Sequence, residues 1–118
     1  MLPELIIMSK KNMSFHFQAR FNERVQCDTI DSFITAVNTG SIFITHHHYS
    51  KLYGTVSTHC IYENMLGELF IAIHRGTKWI TILPIEYHID NIKKIGNELI
   101  TKTFFKKLNQ YNLTHELY

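Results

Sequence analysis

The 118-residue sequence predicts an α+β fold with two N-terminal helices, an antiparallel sheet of three to five strands and a C-terminal helix. Apolar residues recur at helical spacing up to Gly40, alternate along the middle of the chain and return to helical spacing after Asp90. Hydrophobic residues make up 45% of the chain and charged residues 19%, a globular balance that excludes a disordered or collagen-like protein. Helices followed by a run of strands and a further helix are typical of a layered α+β domain.

Two short helices are predicted before Gly40. The first begins at Ser14, which can cap it, and ends near Arg24, with apolar residues at every fourth position: Phe17, Phe21 and Val25. The second begins with Asp28 as its cap and carries an apolar stripe formed by Ile30, Phe33, Ile34 and Val37. Gly40 stands where a left-handed residue commonly ends a helix.

The middle of the chain predicts strands. Ile42, Ile44 and His46 are expected on one face of the first strand, and a second strand is expected to end near Tyr62. Residues 68–74 and 78–83 predict a hairpin, because the intervening Arg75-Gly-Thr77 has the length of a glycine-containing turn. After Asp90, apolar residues at helical spacing predict the last helix: Ile92, Ile95, Leu99, Phe104 and Leu108.

The sequence predicts a single domain preceded by a short extension. Residues 1–12 are expected to form an N-terminal extension with little part in the fold. Residues 13–118 contain no linker or repeat and are expected to form one domain. Cys27 and Cys60 are too few for a disulfide scaffold and lack the spacing of a zinc knuckle, so both are expected to be reduced. The longest apolar run, residues 69–73, is far shorter than a membrane span, and the N-terminal segment lacks the features of a signal peptide. We therefore expect a cytoplasmic protein without membrane contact.

The most informative chemistry lies in the first helix. His16, Arg20 and Arg24 follow one another at four-residue spacing, which places them in one slanting line that we call the helix stripe. Guanidinium groups bind phosphate oxygens in a forked geometry, and an imidazole can transfer a proton near neutral pH. The helix stripe is thus suited to a phosphodiester, although the same residue types are also common on a solvated helix face.

Together with two further segments, the helix stripe resembles a known family. His-x-x-x-Arg-x-x-x-Arg, the helix end Gly40-Ser-Ile42 and the strand Ile80-Thr-Ile82 are similar to small toxin domains related to colicin D and RelE, over roughly residues 14–85. The resemblance implies a barnase-like fold for residues 13–118, with His16, Arg20, Arg24 and Thr81 as catalytic residues. Two positions depart from the family pattern: Val25 follows the second arginine, and Ile82 replaces a tyrosine.

The resemblance also implies an activity. These families are endoribonuclease toxins that cut RNA without a metal, so the expected reaction is cleavage of tRNA or mRNA by attack of the ribose 2′-hydroxyl. No cofactor is expected, and the expected partners are RNA and a neutralising antitoxin or immunity protein. Cationic and aromatic residues of the predicted sheet and its turns are the candidates for RNA binding: Lys51, Tyr53, Arg75 and Lys78.

Two other functions remain open on the sequence. His46 and His48 share one face of a strand and are an alternative pair of metal ligands, for which the third ligand would be His59, His74 or Glu68. Their His-x-His spacing also resembles the metal-binding strand of rolling-circle nickases. Such a nickase needs a tyrosine nucleophile, for which Tyr111 is the candidate. The second alternative is a noncatalytic binding or inhibitory protein, for example one encoded by a phage.

Overall fold

The computed structural model describes residues 8–52, 54–95 and 98–116. Over these residues the elements, in chain order, are a short 3-10 helix Lys10–Asn12, α1 Phe15–Arg24, α2 Ile30–Asn38, β1 Phe43–Ser50, β2 Thr55–Glu63, β3 Leu69–Arg75, β4 Lys78–Pro84, α3 Ile85–Ile95 and α4 Glu98–Glu116. The four strands form one antiparallel sheet in the order β1-β2-β3-β4, with β1 and β4 at its edges. The predicted α+β class is confirmed. No helix among the described residues is long and apolar enough to cross a lipid bilayer.

Helices cover both faces of the sheet and produce two cores. On one face α1 and α2 enclose an aromatic cluster in which Phe33 is fully buried against Phe17, Phe21, Tyr62 and Trp79. On the other face α3 packs on β3 and β4 while α4 packs on β1. The second core contains Ile61, Ile71, Ile85, Ile92, Phe104 and Tyr111. Cross-strand partners project to the same face, so the strand register decides which residues reach each core.

The two N-terminal helices begin at side-chain caps. Ser14 Oγ accepts the N–H of Phe17 at 3.0 Å, as predicted for α1. The cap of α2 is Thr29 rather than the predicted Asp28. The carboxylate of Asp28 instead accepts hydrogen bonds from the Tyr62 hydroxyl and from the Met65 N–H, which ties the segment before α2 to the β2–β3 connection.

A turn in the sheet confirms one prediction, and a β-bulge contradicts another. Gly76 adopts a φ of +60° in the turn between β3 and β4, which confirms the predicted hairpin. The expectation that Ile44 and His46 share a face is wrong. A bulge between them pairs Ile44 with Cys60 and His46 with His59, so the two side chains project to opposite faces.

The C-terminal region contains two helices, whereas the sequence predicted one helix from Asp90. α3 begins at Ile85, directly after Pro84, because its apolar stripe already starts there and continues through Ile89 and Ile92. α4 begins at Glu98, and residues 96–97 between the two helices lie outside the described residues.

Part of the expected N-terminal extension belongs to the fold. Met8 is buried in the aromatic core beside α1 and α2. Its N–H donates to Asn38 Oδ1 at 2.9 Å, and Asn38 Nδ2 donates back to its carbonyl at 3.1 Å. The apolar side chain of Met8 thus holds residues 8–12 on the domain, while residues 1–7 lie outside the described residues.

The two cysteines should differ sharply in reactivity. Cys60 is buried, and burial raises the pKa of its thiol to about 12, whereas Cys27 is exposed. The thiolate is the reactive form, so we expect a thiol reagent at pH 8 to modify Cys27 quickly in the folded protein and Cys60 only after denaturation. Cys27→Ser is the control, since it should remove the fast reaction; rapid modification of two thiols in the native protein would contradict the buried position of Cys60.

Candidate functional site

A row of four side chains crosses the sheet on the face that α3 and α4 cover. His46 pairs with His59, His59 with Ile73, and Ile73 with Thr81, so one residue from each strand lies in the row. The bulge in β1 is what turns His46 toward this face. Two imidazoles and a hydroxyl are thereby placed beneath the helices.

A third imidazole comes from α3. His88 occupies a buried position on the apolar stripe of this helix, between Ile85 and Ile92. Its ring centroid lies 5.7 Å from that of His46 and 5.1 Å from that of His59, and the His46 and His59 centroids are 4.3 Å apart. One potential ligand nitrogen from each ring lies within 4.8 Å of the other two. We call His46, His59 and His88 the histidine triad.

The histidine triad borders a cavity of about 330 Å³ that penetrates between the sheet and α3. Its polar lining consists of side chains from α1, the sheet and α3: Arg24, His46, His48, His59, Thr81, His88 and Asn91. Ile73, Leu83, Ile92 and Ile100 provide the apolar part of the wall. A concave, mostly apolar site with a few convergent polar groups is the usual form of a ligand-binding pocket.

The imidazoles of the histidine triad remain uncharged at neutral pH. Burial is the largest cause, and it lowers the pKa of His46 to about 4, of His59 to about 2 and of His88 to about 4. Each ring also lies close to other imidazoles, whose charged forms would repel its own proton. The three rings therefore present lone pairs rather than positive charge.

Hydroxyl groups determine which nitrogen carries the proton on two of these rings. Thr45 Oγ1 donates its single proton to the carbonyl of His59 at 3.0 Å, so at 3.1 Å from His46 Nδ1 it must act as the acceptor. His46 is thereby the Nδ1–H tautomer, with its lone pair on Nε2. Ser57 Oγ acts in the same way: it donates to the carbonyl of His48 at 3.3 Å and accepts from His59 Nε2 at 3.4 Å.

Arg24 reaches the cavity from the opposite side of the sheet. The start of α1 is attached to β4, because the Ser14 N–H donates to the Trp79 carbonyl at 3.0 Å. This contact lays α1 along the edge strand, and Arg24 Nη1 donates to the carbonyl of Ile82 at 2.7 Å. The guanidinium thus passes over the edge of the sheet and joins the cavity wall.

The four predicted catalytic residues are brought together only in part. Thr81 and Arg24 line the cavity, and His16 Nε2 lies 3.4 Å from Thr81 Oγ1 at its margin. Arg20 instead forms an ion pair with Glu23, with 2.7 Å between Nη1 and Oε2, and this contact lowers the pKa of the glutamate. The helix stripe therefore separates into an exposed ion pair and two residues beside β4.

The predicted RNA-binding residues are scattered. Lys51 is exposed in the turn after β1, and Arg75 is half-buried at the end of β3. Lys78 Nζ donates to the carbonyl of Lys11 at 3.2 Å, so it contacts the N-terminal segment. Tyr53 lies outside the described residues.

The fold brings three of the alternative metal ligands together and places the other two elsewhere. His46 and His48 line one cavity, and His59 joins them. The other two candidates for a third ligand are occupied elsewhere, since His74 packs on Trp79 and Glu68 accepts from Asn64 Nδ2 at 2.9 Å. His88 is not among the predicted site residues, although a histidine on the apolar stripe of an amphipathic helix is a readable signal.

The tyrosine expected for a nickase is not at the site. Tyr111 is buried in the second core, and its hydroxyl donates to Glu63 Oε1 at 3.2 Å. Burial and the neighbouring carboxylate raise the pKa of Tyr111 to about 12, which disfavours the nucleophilic phenolate. The geometry gives the nickase hypothesis no support.

Fold and site together define a small α/β/α-layered domain of α+β class with a histidine-rich cavity between the sheet and α3. Comparison of the chain with protein-family models, with curated proteins and with solved structures found no match.

Proposed function

We propose that the protein is an endoribonuclease that binds a ribose-phosphate segment in this cavity and cleaves it by attack of the 2′-hydroxyl. One observation carries the proposal: Arg24 of the helix stripe and Thr81 line the same cavity as four histidines. A fixed cation, a hydroxyl donor and imidazoles are the groups that a phosphodiester transfer requires.

Arg24 is the proposed phosphate ligand. One of its five N–H donors is used by the Ile82 carbonyl, which orients the guanidinium at the cavity wall. The remaining donors can bind two nonbridging oxygens and stabilise the extra negative charge of the pentacoordinate phosphorane. Because Arg20 is paired with Glu23, Arg24 alone is proposed to provide this charge stabilisation.

Two imidazoles outside the histidine triad are the proposed proton carriers. His48 lines the cavity, and His16 contacts Thr81 at its margin. One ring removes the proton from the 2′-hydroxyl as the bond between O2′ and phosphorus forms. The other protonates O5′ as the bond between phosphorus and O5′ breaks, so the products are a 2′,3′-cyclic phosphate and a free 5′-hydroxyl.

The substrate class and the regulation are proposed from the resemblance to small toxin domains related to colicin D and RelE. The cavity is about 330 Å³, which suits one nucleotide of a single strand rather than a stacked duplex, so loops of tRNA or unpaired mRNA are the proposed targets. Such an activity would harm the cell that produces it, and we therefore propose a protein inhibitor that covers the cavity.

Cleavage of total RNA by the purified protein in EDTA tests the proposal. We expect Arg24→Ala to lower the rate by at least about 100-fold, as loss of one transition-state donor does in other enzymes, and His16→Ala to lower it strongly. Arg20→Ala is the matched control, since it removes the same charge from the same helix without touching the cavity, and it should keep most of the activity.

Two results would contradict this function. One is a wild-type protein that leaves RNA intact at micromolar concentration; tight association with a host protein in that case would favour the noncatalytic alternative. The other is an Arg24→Ala protein, folded by circular dichroism, that cleaves as fast as the wild type.

A further inference from the structure

We propose that His46, His59 and His88 bind a Zn²⁺ ion through one nitrogen from each imidazole. The inference rests on the arrangement of the histidine triad and does not depend on RNA cleavage. Three histidines with an open fourth position are a familiar zinc ligand set, and imidazole nitrogen suits a borderline-soft divalent cation.

The ring separations are close to those a zinc ion requires. The three candidate nitrogens lie within 4.8 Å of one another. Bonds of 2.0–2.1 Å in a tetrahedron place ligand nitrogens about 3.4 Å apart, so the rings need to approach by at most about 1.4 Å.

Hydrogen bonds leave one ring nitrogen of His46 and one of His59 with a lone pair free for a metal ion. Thr45 holds the proton of His46 on Nδ1 and leaves the lone pair on Nε2, while Ser57 holds the proton of His59 on Nε2 and leaves the lone pair on Nδ1. Metal-bound histidines characteristically donate their other N–H to such a partner, which fixes the ring for ligation.

Among the residues that the structure describes, two buried nitrogens of the triad have no hydrogen-bond partner. They are His59 Nδ1 and His88 Nε2. A buried polar atom without a partner costs free energy, and native structures generally satisfy such atoms with a protein group, a water or an ion. For His59 the unpartnered atom is the same nitrogen that the Ser57 contact leaves with a free lone pair. Coordination of one cation would satisfy both nitrogens at once.

The fourth coordination position would face the cavity. Arg24 lines that cavity, so the positive charges of the ion and the guanidinium together favour a water molecule or an anion such as hydroxide there. Because His46 and His59 belong to the sheet and His88 to α3, the ion would also link the helix to β1 and β2. Zinc binding should therefore stabilise the fold as well as occupy the site.

Titration of untagged protein, freed of metal with a chelator, tests the inference. We expect one Zn²⁺ per chain with a dissociation constant of micromolar or lower, and a rise in melting temperature of about 5 °C or more at saturating zinc. Co²⁺ in place of zinc should give the intense visible absorption of a tetrahedral site.

Variants separate this site from adventitious binding. His88→Gln and His59→Asn should each weaken zinc binding at least about 100-fold, because two imidazoles hold the ion much less well than three. His47→Ala is the matched control: His47 is the neighbour of His46 but is exposed and contacts Thr58, so the variant should bind zinc like the wild type.

Either of two results would overturn the proposal. The first is a wild-type protein that binds no zinc at 100 micromolar and gives no tetrahedral cobalt spectrum, which is independent of how well any variant folds. The second is a loss of binding in His47→Ala while His88→Gln still binds. Neither result bears on RNA cleavage by EDTA-treated protein, so the two proposals can fail separately.

Discussion

Phe33→Ala is expected to lower the free energy of unfolding by about 3–5 kcal/mol. Phe33 is fully buried, and its ring centroid lies 5.0–5.7 Å from those of Phe17, Phe21, Tyr62 and Trp79. Truncation removes the apolar surface of the ring and leaves a cavity bordered by four rigid rings that cannot collapse into it. The loss should be large because this cluster joins α1 and α2 to the sheet.

Urea denaturation of the wild type and two variants measures this effect. Phe15→Ala is the matched control, because Phe15 is the same residue type, lies at the start of α1 and is 91% exposed. It should change the stability by no more than about 0.5 kcal/mol. Equal losses for the two variants would show that Phe33 does not occupy the centre of the core.

The metal-free protein is expected to lose several kcal/mol of stability as the pH falls from about 6.5 to about 4. In the unfolded chain each histidine takes up a proton near pH 6.5, but burial lowers the pKa of His46 and His88 to about 4 and that of His59 to about 2 in the fold. Across this window the unfolded state binds more protons, so its population grows as the pH falls. If the fold lowered the pKa of each imidazole by only one unit, protonation of the three groups would already cost about 4 kcal/mol of stability.

Thermal denaturation in EDTA at a series of pH values measures this loss. Arg24 and His48 line the same cavity as the histidine triad, and charged His47 and His48 would add repulsion to protonated His46 and His59. His88→Gln cannot charge, so its stability should fall less steeply with pH than that of the wild type. His16→Gln, which removes an exposed imidazole, should follow the wild-type profile. A wild-type stability that does not change between pH 7 and 4 would contradict the buried, neutral triad.

Local patterns were sufficient to predict much of this fold. α1 with its Ser14 cap, the end of α2 before Gly40 and the β3–β4 hairpin depend on helix caps, four-residue spacing and a glycine turn. These signals act between residues that are close in the chain, so tertiary contacts did not alter them. His16, which the resemblance groups with Thr81, lies 3.4 Å from its hydroxyl, and Arg24 lines the same cavity as Thr81.

Other features required contacts that are distant in the chain. Asp28 does not cap α2, because the Tyr62 hydroxyl and the Met65 N–H, more than 30 residues away, bind its carboxylate. The bulge in β1 is set by pairing with β2, and it places His46 on the face opposite Ile44. Arg20 and Arg24 look equivalent in the sequence, yet Arg24 donates to the edge strand while Arg20 pairs with Glu23.

The sequence by itself determined an α+β domain, its N-terminal helices, its hairpin and the residue types available for chemistry, because caps, turns and periodicity depend on neighbours along the chain. Only the tertiary structure decided which of these residues meet. Strand register and the packing of α3 on the sheet bring His46, His59 and His88 together, although they come from three separate elements. Their burial together lowers their pKa values, a consequence of desolvation that arises only when the helix layer covers the sheet.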